Sequence, residues 1–563
     1  MTLHPRPLPP VPSATATAVQ AAFPKGNLSV DLRAEFGALY TDELFADLYP
    51  AQGRPVEVAP WRLALVLVMQ YLEGLTDRQA ADAVRRCLDW KYALSLELTD
   101  PGFDFTLLHD FRERLLAHDA APRLLDTLLA ACQARGLLTR RGTQRTDSTH
   151  ILAAVRTLHR LECVLETLRL VLDRLAAVAP DWLQARVPEA WYERYGARAE
   201  HFRLPKEATK RRALAETAGA DGYQLLAWLA APDTPPSLRA LPAVEVLRRV
   251  WLQQFYRCRE PETDTLRWRA TDECPPPGLL IHSPYDLEAR YGTKRGMHWI
   301  GYKTHLTETC DPHQPRLITQ VVTTLATVPD STMGTPLQED LAARALSPGT
   351  HLLDRGYVDA DLLVNAQAHW GIDVVGPPLA STSRQARAGQ GYALAAFTLE
   401  WDAQQARCPQ GHASVGWNPG HDSHGNDVIR VRFDLATCRA CPVRAACTWR
   451  ERGPRRLTIR PQAQHEAIAA ARQRQETEEF KARYAQRAGI ESAFSQGTRG
   501  FALRRSRYRG LARTQLQLLV TAVAMNLVRL FAWFGGPAGA EKSRPAGRFA
   551  RLAPAASAAA VGA

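Results

Sequence analysis

Three acidic residues stand in segments whose composition suits them to hold metal. Asp147 lies in the strand-like run Arg145–Thr146–Asp147–Ser148–Thr149–His150–Ile151, and Asp354 closes a short strand, His351–Leu352–Leu353–Asp354, that breaks at Gly356. Glu491 falls in a long, highly charged helical pattern over 463–496, where Tyr484, Arg487 and Glu491 recur at i, i+3 and i+7 and so share one helix face. Two strand aspartates and one helix glutamate are what two-metal phosphoryl transfer requires. Hard Mg²⁺ ions take carboxylate oxygens and keep several waters. Two of them about 4 Å apart activate the attacking oxygen and stabilise the leaving one during in-line displacement. The acids need no fixed spacing, only convergence at one end of a sheet, so the triplet alone is a weak motif. An incidental glutamate on a solvated helix face is the bland alternative.

The run after Glu491 sharpens the contrast. Arg499–Gly500–Phe501–Ala502–Leu503–Arg504–Arg505–Ser506–Arg507–Tyr508–Arg509–Gly510–Leu511 carries five arginines, two aromatics and no carboxylate. That composition gives a phosphate-binding surface with ring faces for stacking on bases. A second cluster is made of thiols: Cys408, Cys438, Cys441 and Cys447, spaced C-x29-C-x2-C-x5-C inside a Gly- and Asn-rich stretch. Two knuckles around a tetrahedral Zn²⁺ explain this spacing, because a metal supplies folding energy that such a small module lacks. His412 is a possible replacement for one thiolate. An iron–sulfur cluster fits four thiolates as well, and unligated thiols are the remaining reading.

These residues need elements to bring them together. Residues 1–22 and 535–563 are rich in Pro, Ala, Gly and Thr and read as flexible tails. A helical N-terminal domain, for DNA binding or dimerisation, follows over 23–136. It contains the near-continuous apolar run Trp61–Leu72, a Thr76 N-cap with Gln79 three residues on, and a turn at Asp100–Asp104 before a helix from about Thr106. The region 137–156 holds the Asp147 strand, and 157–280 a helical insertion with leucines at 158, 161, 165 and 168. Residues 281–380 alternate two strand-like runs, His298–Leu306 and Arg316–Val322, with helix, the Asp354 strand, helix 359–369 and strand Ile372–Val375. This order describes an α/β layer with a mixed sheet. The cysteine-rich insertion spans 381–455, and C-terminal helices with Glu491 span 456–534.

The whole composition bounds the answer. A chain of 563 residues exceeds one hydrophobic core, and 46% hydrophobic with 23% charged residues excludes a wholly disordered chain. Seventy Lys and Arg against 58 Asp and Glu leave a net +12, which favours a polyanionic partner. The apolar stretch Leu516–Phe534 is interrupted by Gln517, Asn526 and Arg529, which suits a helix packed in protein better than a bilayer span. No signal peptide is read, and ten cysteines in so long a chain do not describe a secreted disulfide scaffold, so a cytoplasmic location without membrane is expected. No G-x-x-x-x-G-K-[ST], H-E-x-x-H or G-x-S-x-G occurs.

Taken together, these residues resemble the DDE transposases of bacterial insertion sequences, in the IS4/IS5-like group and its IS1182-type branch. The likeness rests on Tyr71–Gln79 with Asp100–Asp104 in the helical segment, and on Thr146–Asp147–Ser148–Thr149 as the first acidic motif. It rests further on Lys303 in Gly301–Leu306 with Asp354–Arg355–Gly356–Tyr357, and on the Y-(2)-R-(3)-E signature of Tyr484, Arg487 and Glu491. A cysteine-bearing insertion between the second Asp and the Glu belongs to the same likeness. One departure stands at Thr498, where the family has lysine seven residues after the Glu; Arg499 lies beside it.

The resemblance implies an RNase H-like core in which Asp147, Asp354 and Glu491 bind two Mg²⁺, with Mn²⁺ as a substitute. One ion would activate water to nick DNA at the element end, then the freed 3′-hydroxyl for strand transfer. Tyr484 and Arg487 would position the flanking phosphates, while Lys303, Arg499, Arg504, Arg505 and Arg507 would hold the backbone. The cysteine module would brace the insertion or grip DNA. A homodimer on double-stranded DNA, at the nucleoid, is the matching expectation. A metal-dependent nuclease on the same core and a non-catalytic DNA-binding descendant are the alternatives.

Overall fold

The strand that carries Asp147 lies in the middle of a mixed sheet. Thr143–Leu152 pairs antiparallel with Met297–Thr309 and parallel with Thr350–Leu353. The other edge of Met297–Thr309 is shared by Arg290–Lys294 and Ile318–Leu325, and Asp373–Val375 lies parallel beyond Thr350–Leu353. Parallel neighbours need crossover connections, and helices Gly334–Ala343 and Ala360–Trp370 supply them. Both faces are covered, so most of Thr143–Leu152 is buried, its polar residues included. The arrangement agrees with the expected α/β class and is consistent with an RNase H-like core. The computed structural model describes residues 1–535 apart from 201–202, 261–262, 295, 382, 424 and 450–451. The tail expected over 535–563 lies outside the described residues from 536 onward.

The helix Leu511–Phe534 explains its own interruptions. It packs between strand Ile318–Leu325 and the N-terminal helices Pro60–Leu72 and Arg123–Ala134. Asn526 accepts from the Ile318 N–H at 2.7 Å and donates to its carbonyl at 2.9 Å, while Gln515 does the same for Thr323 N and Val321 O, both at 2.7 Å. Two amides thus pair the free edge of the strand, which would otherwise leave backbone groups buried without partners. Among the described residues this is the one helix long and apolar enough to cross a membrane, and 72% of its apolar window is buried inside the protein. One continuous core runs from the N-terminal helices (Leu65, Phe111) through the sheet (Leu306, Val321) to this helix (Leu519, Leu527).

Several expectations are corrected here. Residues 1–22 are not a loose tail: Ser13–Ala22 is a helix, Thr15 donates from a buried hydroxyl to Leu96 O at 2.8 Å, and Thr2 bridges to Pro55. Thr15 and Val19 are the buried residues of this helix. The insertion keeps its helices over 160–254, with Leu161, Leu165 and Leu168 in its own core, but ends in a hairpin, Phe255–Glu260 with Thr263–Trp268. The cysteine-rich module reaches past 455, because strand Arg456–Ile459 completes its three-stranded sheet with Ser414–His421 and Asp427–Phe433. The supposed long helix over 463–496 is broken into Gln462–Arg474, Glu478–Ala485, a 3₁₀ turn Gln486–Gly489, and Ile490–Phe501. Thr477 starts the second piece by accepting from the Phe480 N–H at 3.2 Å.

Candidate active site

Parallel register sets the first two acids side by side. Thr146 pairs with Leu353, so Asp147, within its strand, and Asp354, just past the end of its own, each follow that pair at the same end of the shared ladder. There both meet one cation: Arg487 Nη2 lies 2.7 Å from Asp147 Oδ2 and 3.6 Å from Asp354 Oδ2. Asp147 is nearly buried, with a side chain 8% exposed, whereas Asp354 is 34% exposed and faces the opening. Each carboxylate also accepts from the next backbone N–H, Ser148 and Arg355 respectively, at 2.7 Å.

The break in the helical pattern is what delivers Arg487. Arg145, two residues before Asp147, donates to Gln486 O and pairs with Glu308 at 2.6 Å, and Glu308 pairs again with Arg529 at 2.8 Å. The 3₁₀ turn passes directly over Arg145. A β-carbon at Gly489 would stand 2.1 Å from Arg145 Nη1, so any other residue would have to displace the guanidinium that Glu308 holds. The Ile490–Phe501 helix then packs on the Asp147 strand.

Burial pushes the Asp147 carboxyl above the usual aspartate range, against the pull of Arg487, and the nearby Asp354 adds to the rise. Tyr484, stacked on Phe480 with ring centroids 5.6 Å apart, is half-buried beside the pair and its phenol is likewise raised by burial. A third aspartate escaped the reading of the sequence. Asp330, in a 3₁₀ turn after Ile318–Leu325, accepts from Lys303 Nζ and Ser148 Oγ, both at 2.9 Å. Burial acts to raise its pKa, but the Lys303 ammonium wins and holds it low. Lys294 Nζ donates to the Ser148 hydroxyl and carbonyl at 3.2 Å. Beneath this layer His305 bonds Tyr357 at 2.6 Å and His351 bonds Thr146 at 2.7 Å. Burial drives their imidazoles down to about 4 and about 3. The only sequence signal for Asp330 was its place in a turn at a strand end, which many acids share.

Of the expected triad, the structure brings Asp147 and Asp354 together. Glu491 stands exposed in the first turn of its helix, four residues past Arg487, with no ion pair or side-chain hydrogen bond among the described residues. The broken helix also removes the single face that was to align Tyr484, Arg487 and Glu491. Arg487, expected at a phosphate, is engaged with the two acids. Lys303 is corrected too: only 11% exposed, it is spent on Asp330 and on Val328 O at 2.7 Å rather than open to a backbone. Arg504 donates to Thr149 Oγ1 at 3.0 Å, and Arg507 donates to Leu75 O at 2.8 Å and lies over the Tyr71 ring. Arg499 and Arg505 are exposed, with no side-chain hydrogen bond or ion pair among the described residues.

Two donor sets remain as candidates for metal. At the sheet, the carboxylates of Asp147 and Asp354 converge, hard oxygen donors fit for a small divalent cation. In the cysteine module, Cys408, Cys438, Cys441 and Cys447 line one cavity of about 30 Å³ together with His412. Burial raises the Cys447 thiol, Arg455 opposes, and the other three thiols add to the rise. Cys408 and His412 close a turn through Cys408 N to His412 O at 2.9 Å. Among the described residues no three His, Cys, Asp or Glu side chains are drawn into full metal-holding geometry at either place.

Two family models match the chain: a transposase DDE domain over residues 407–531 and a transposase domain (DUF772) over residues 18–114. The first covers the cysteine module, the Glu491 helix and most of the final helix; the second covers the N-terminal helices. No curated relative and no solved structure matches.

Proposed function

We infer that this chain, a transposase by its two domains, cuts and joins DNA at the paired aspartates of its central sheet. The observation that carries this reading is the meeting of Asp147 and Asp354, from adjacent strands, on one guanidinium. A DDE domain implies a divalent metal, and Mg²⁺ or Mn²⁺ bound between these carboxylates would supply the Lewis acidity that phosphoryl transfer on DNA needs. Asp147 and Asp354 are its first ligands in this reading, with Glu491 completing the set from the helix that follows Arg487.

The protein's own groups do the rest. Arg487 keeps two close acids neutralised while the site is free of metal, and its guanidinium suits a DNA phosphate once the acids are otherwise satisfied. Tyr484 walls the site beside Asp354. Asp330, Lys303, Lys294 and Ser148 fix the backbone around Asp147. Arg499 and Arg505, exposed and unpaired, offer the first contacts to the duplex, and Arg504 and Arg507 hold the basic run against the sheet and the N-terminal helices. Four thiolates in the cysteine module hold a structural Zn²⁺, and a homodimer grips the two element ends.

The test uses duplexes bearing the inverted repeats that flank the coding sequence. Asp147→Asn, Asp354→Asn and Glu491→Gln are each expected to abolish metal-dependent cleavage and strand transfer while retaining duplex binding. Full cleavage by either aspartate variant would refute the site. Cleavage without joined products would leave a nuclease.

A further inference from the structure

The three-stranded sheet of the cysteine module is amphipathic, and its outer face has no role in the chemistry above. Alternation sends Val431, Phe433, Leu457 and Ile459 inward to a small core. It sends Arg430, Arg432, Arg456 and Thr458 outward, where all four are exposed or partly exposed. Register then places like charges together: Arg432 lies directly opposite Arg456, and Arg430 opposite Thr458. On the other side Arg432 faces Gly416, whose lack of a side chain leaves the guanidinium stem room to lie across the strand.

Directly opposed like charges destabilise a sheet, so nothing in the folding of the module favours this pair. Neither Arg432 nor Arg456 has a side-chain hydrogen bond or ion pair among the described residues. Both line a groove of about 590 Å³ together with Arg430 and Trp449, and no carboxylate lines it among the described residues. Trp449 stands at its rim, 65% exposed. Arg455, the fourth arginine there, turns inward to the Cys447 and Tyr392 carbonyls and ties the groove wall to the thiol cluster. A surface with four arginines in its lining is matched by an evenly spaced polyanion.

We propose that the Arg430–Arg432–Arg456 face of the cysteine module is a second DNA-binding surface, which grips the phosphate backbone of duplex DNA away from the Asp147–Asp354 pair. This rests on the transposase reading above, and adds to it where the duplex is held. The two arginines that oppose each other bind phosphate, which neutralises their repulsion. Trp449 packs against the sugar edge.

The test is fluorescence polarisation of the full chain with a labelled random-sequence duplex, titrated at several salt concentrations. The variant carries Arg432→Gln and Arg456→Gln. We expect its affinity to fall at least about tenfold at about 0.1 M salt, and the slope of log K against log[salt] to flatten by about two units, near 0.9 for each phosphate no longer held. Its melting temperature should stay equal or rise, since a repulsive pair is removed. Parent-like affinity and slope in the arginine variant would overturn this proposal and leave the catalytic reading intact. A melting temperature that falls together with binding would overturn it by showing a structural role for the pair. A loss confined to single-stranded competitor would overturn the duplex assignment. Failure of the parent to bind any duplex would overturn both.

Discussion

Glu308 offers the sharpest test of how the site is held. Its side chain is 1% exposed and lies between Arg145, 3% exposed, and Arg529, 13% exposed, at 2.6 and 2.8 Å. Replacing it by Gln removes one negative charge and leaves two guanidiniums buried without it. Each contact has a gross attraction of about 6 kcal/mol at an effective dielectric constant near 20, mostly cancelled by desolvation. The cost of breaking such a buried network is therefore about 3–5 kcal/mol. Urea unfolding followed by circular dichroism should show this loss. Arg145→Met, Glu308→Leu and Arg529→Met combined should recover most of the stability, because the desolvation cost leaves with the charges. The triple variant should still cleave poorly, since the Arg145 bond to the Gln486 carbonyl, one residue before Arg487, is gone. A loss below about 1 kcal/mol for Glu308→Gln, or a triple variant less stable than the single one, would refute this account.

Arg487→Gln should bind Mn²⁺ more tightly than the parent in the absence of DNA, by about tenfold or more for one charge-assisted bond released, while cleaving more slowly; isothermal titration and a cleavage time course check both directions. Removal of zinc by a chelator should unfold the 408–459 module and expose four thiols to a thiol reagent, whereas Cys438→Ser should bind less than one equivalent of zinc. His351 titrates at about 3 in the fold against 6.5 when free. Its contribution to stability is therefore complete above pH 6.5 and is lost as the pH falls, about 2 kcal/mol by pH 5. The stability difference between the parent and His351→Asn should shrink accordingly between pH 7 and pH 5, and a constant difference would contradict it.

What could be read along the chain was what depends on local pattern. The Thr76–Gln79 capping box is present as expected, with Thr76 N to Gln79 Oε1 at 2.9 Å. The strand and helix order around Asp354 matches because hydrophobic period and glycine breaks are local signals. Asp147 and Asp354 were legible as a pair because each ends or occupies a strand-like run, yet only parallel register could set them side by side. The breaks at Thr477 and at 486–489 were not legible. A helical period runs through them, and the 3₁₀ turn instead lies against Arg145 on a distant strand, which bonds the Gln486 carbonyl. Lys303 looked like a surface cation for the same reason: its partner, Asp330, is supplied by a turn on the far side of a hairpin. The hairpin after 254 was hidden by the polar, mixed composition of its strands.

The helix Leu511–Phe534 closes the free edge of a central strand and lines the interior of the N-terminal half as well. During synthesis it is also the last described segment to leave the ribosome. Until then the nascent chain carries an open β edge and an uncovered apolar floor, both templates for self-association. Closure of the strand edge and of the apolar interior therefore comes together, once Leu511–Phe534 has been made. A chain that stops before this helix leaves that edge and that floor uncovered and is expected to aggregate rather than to fold.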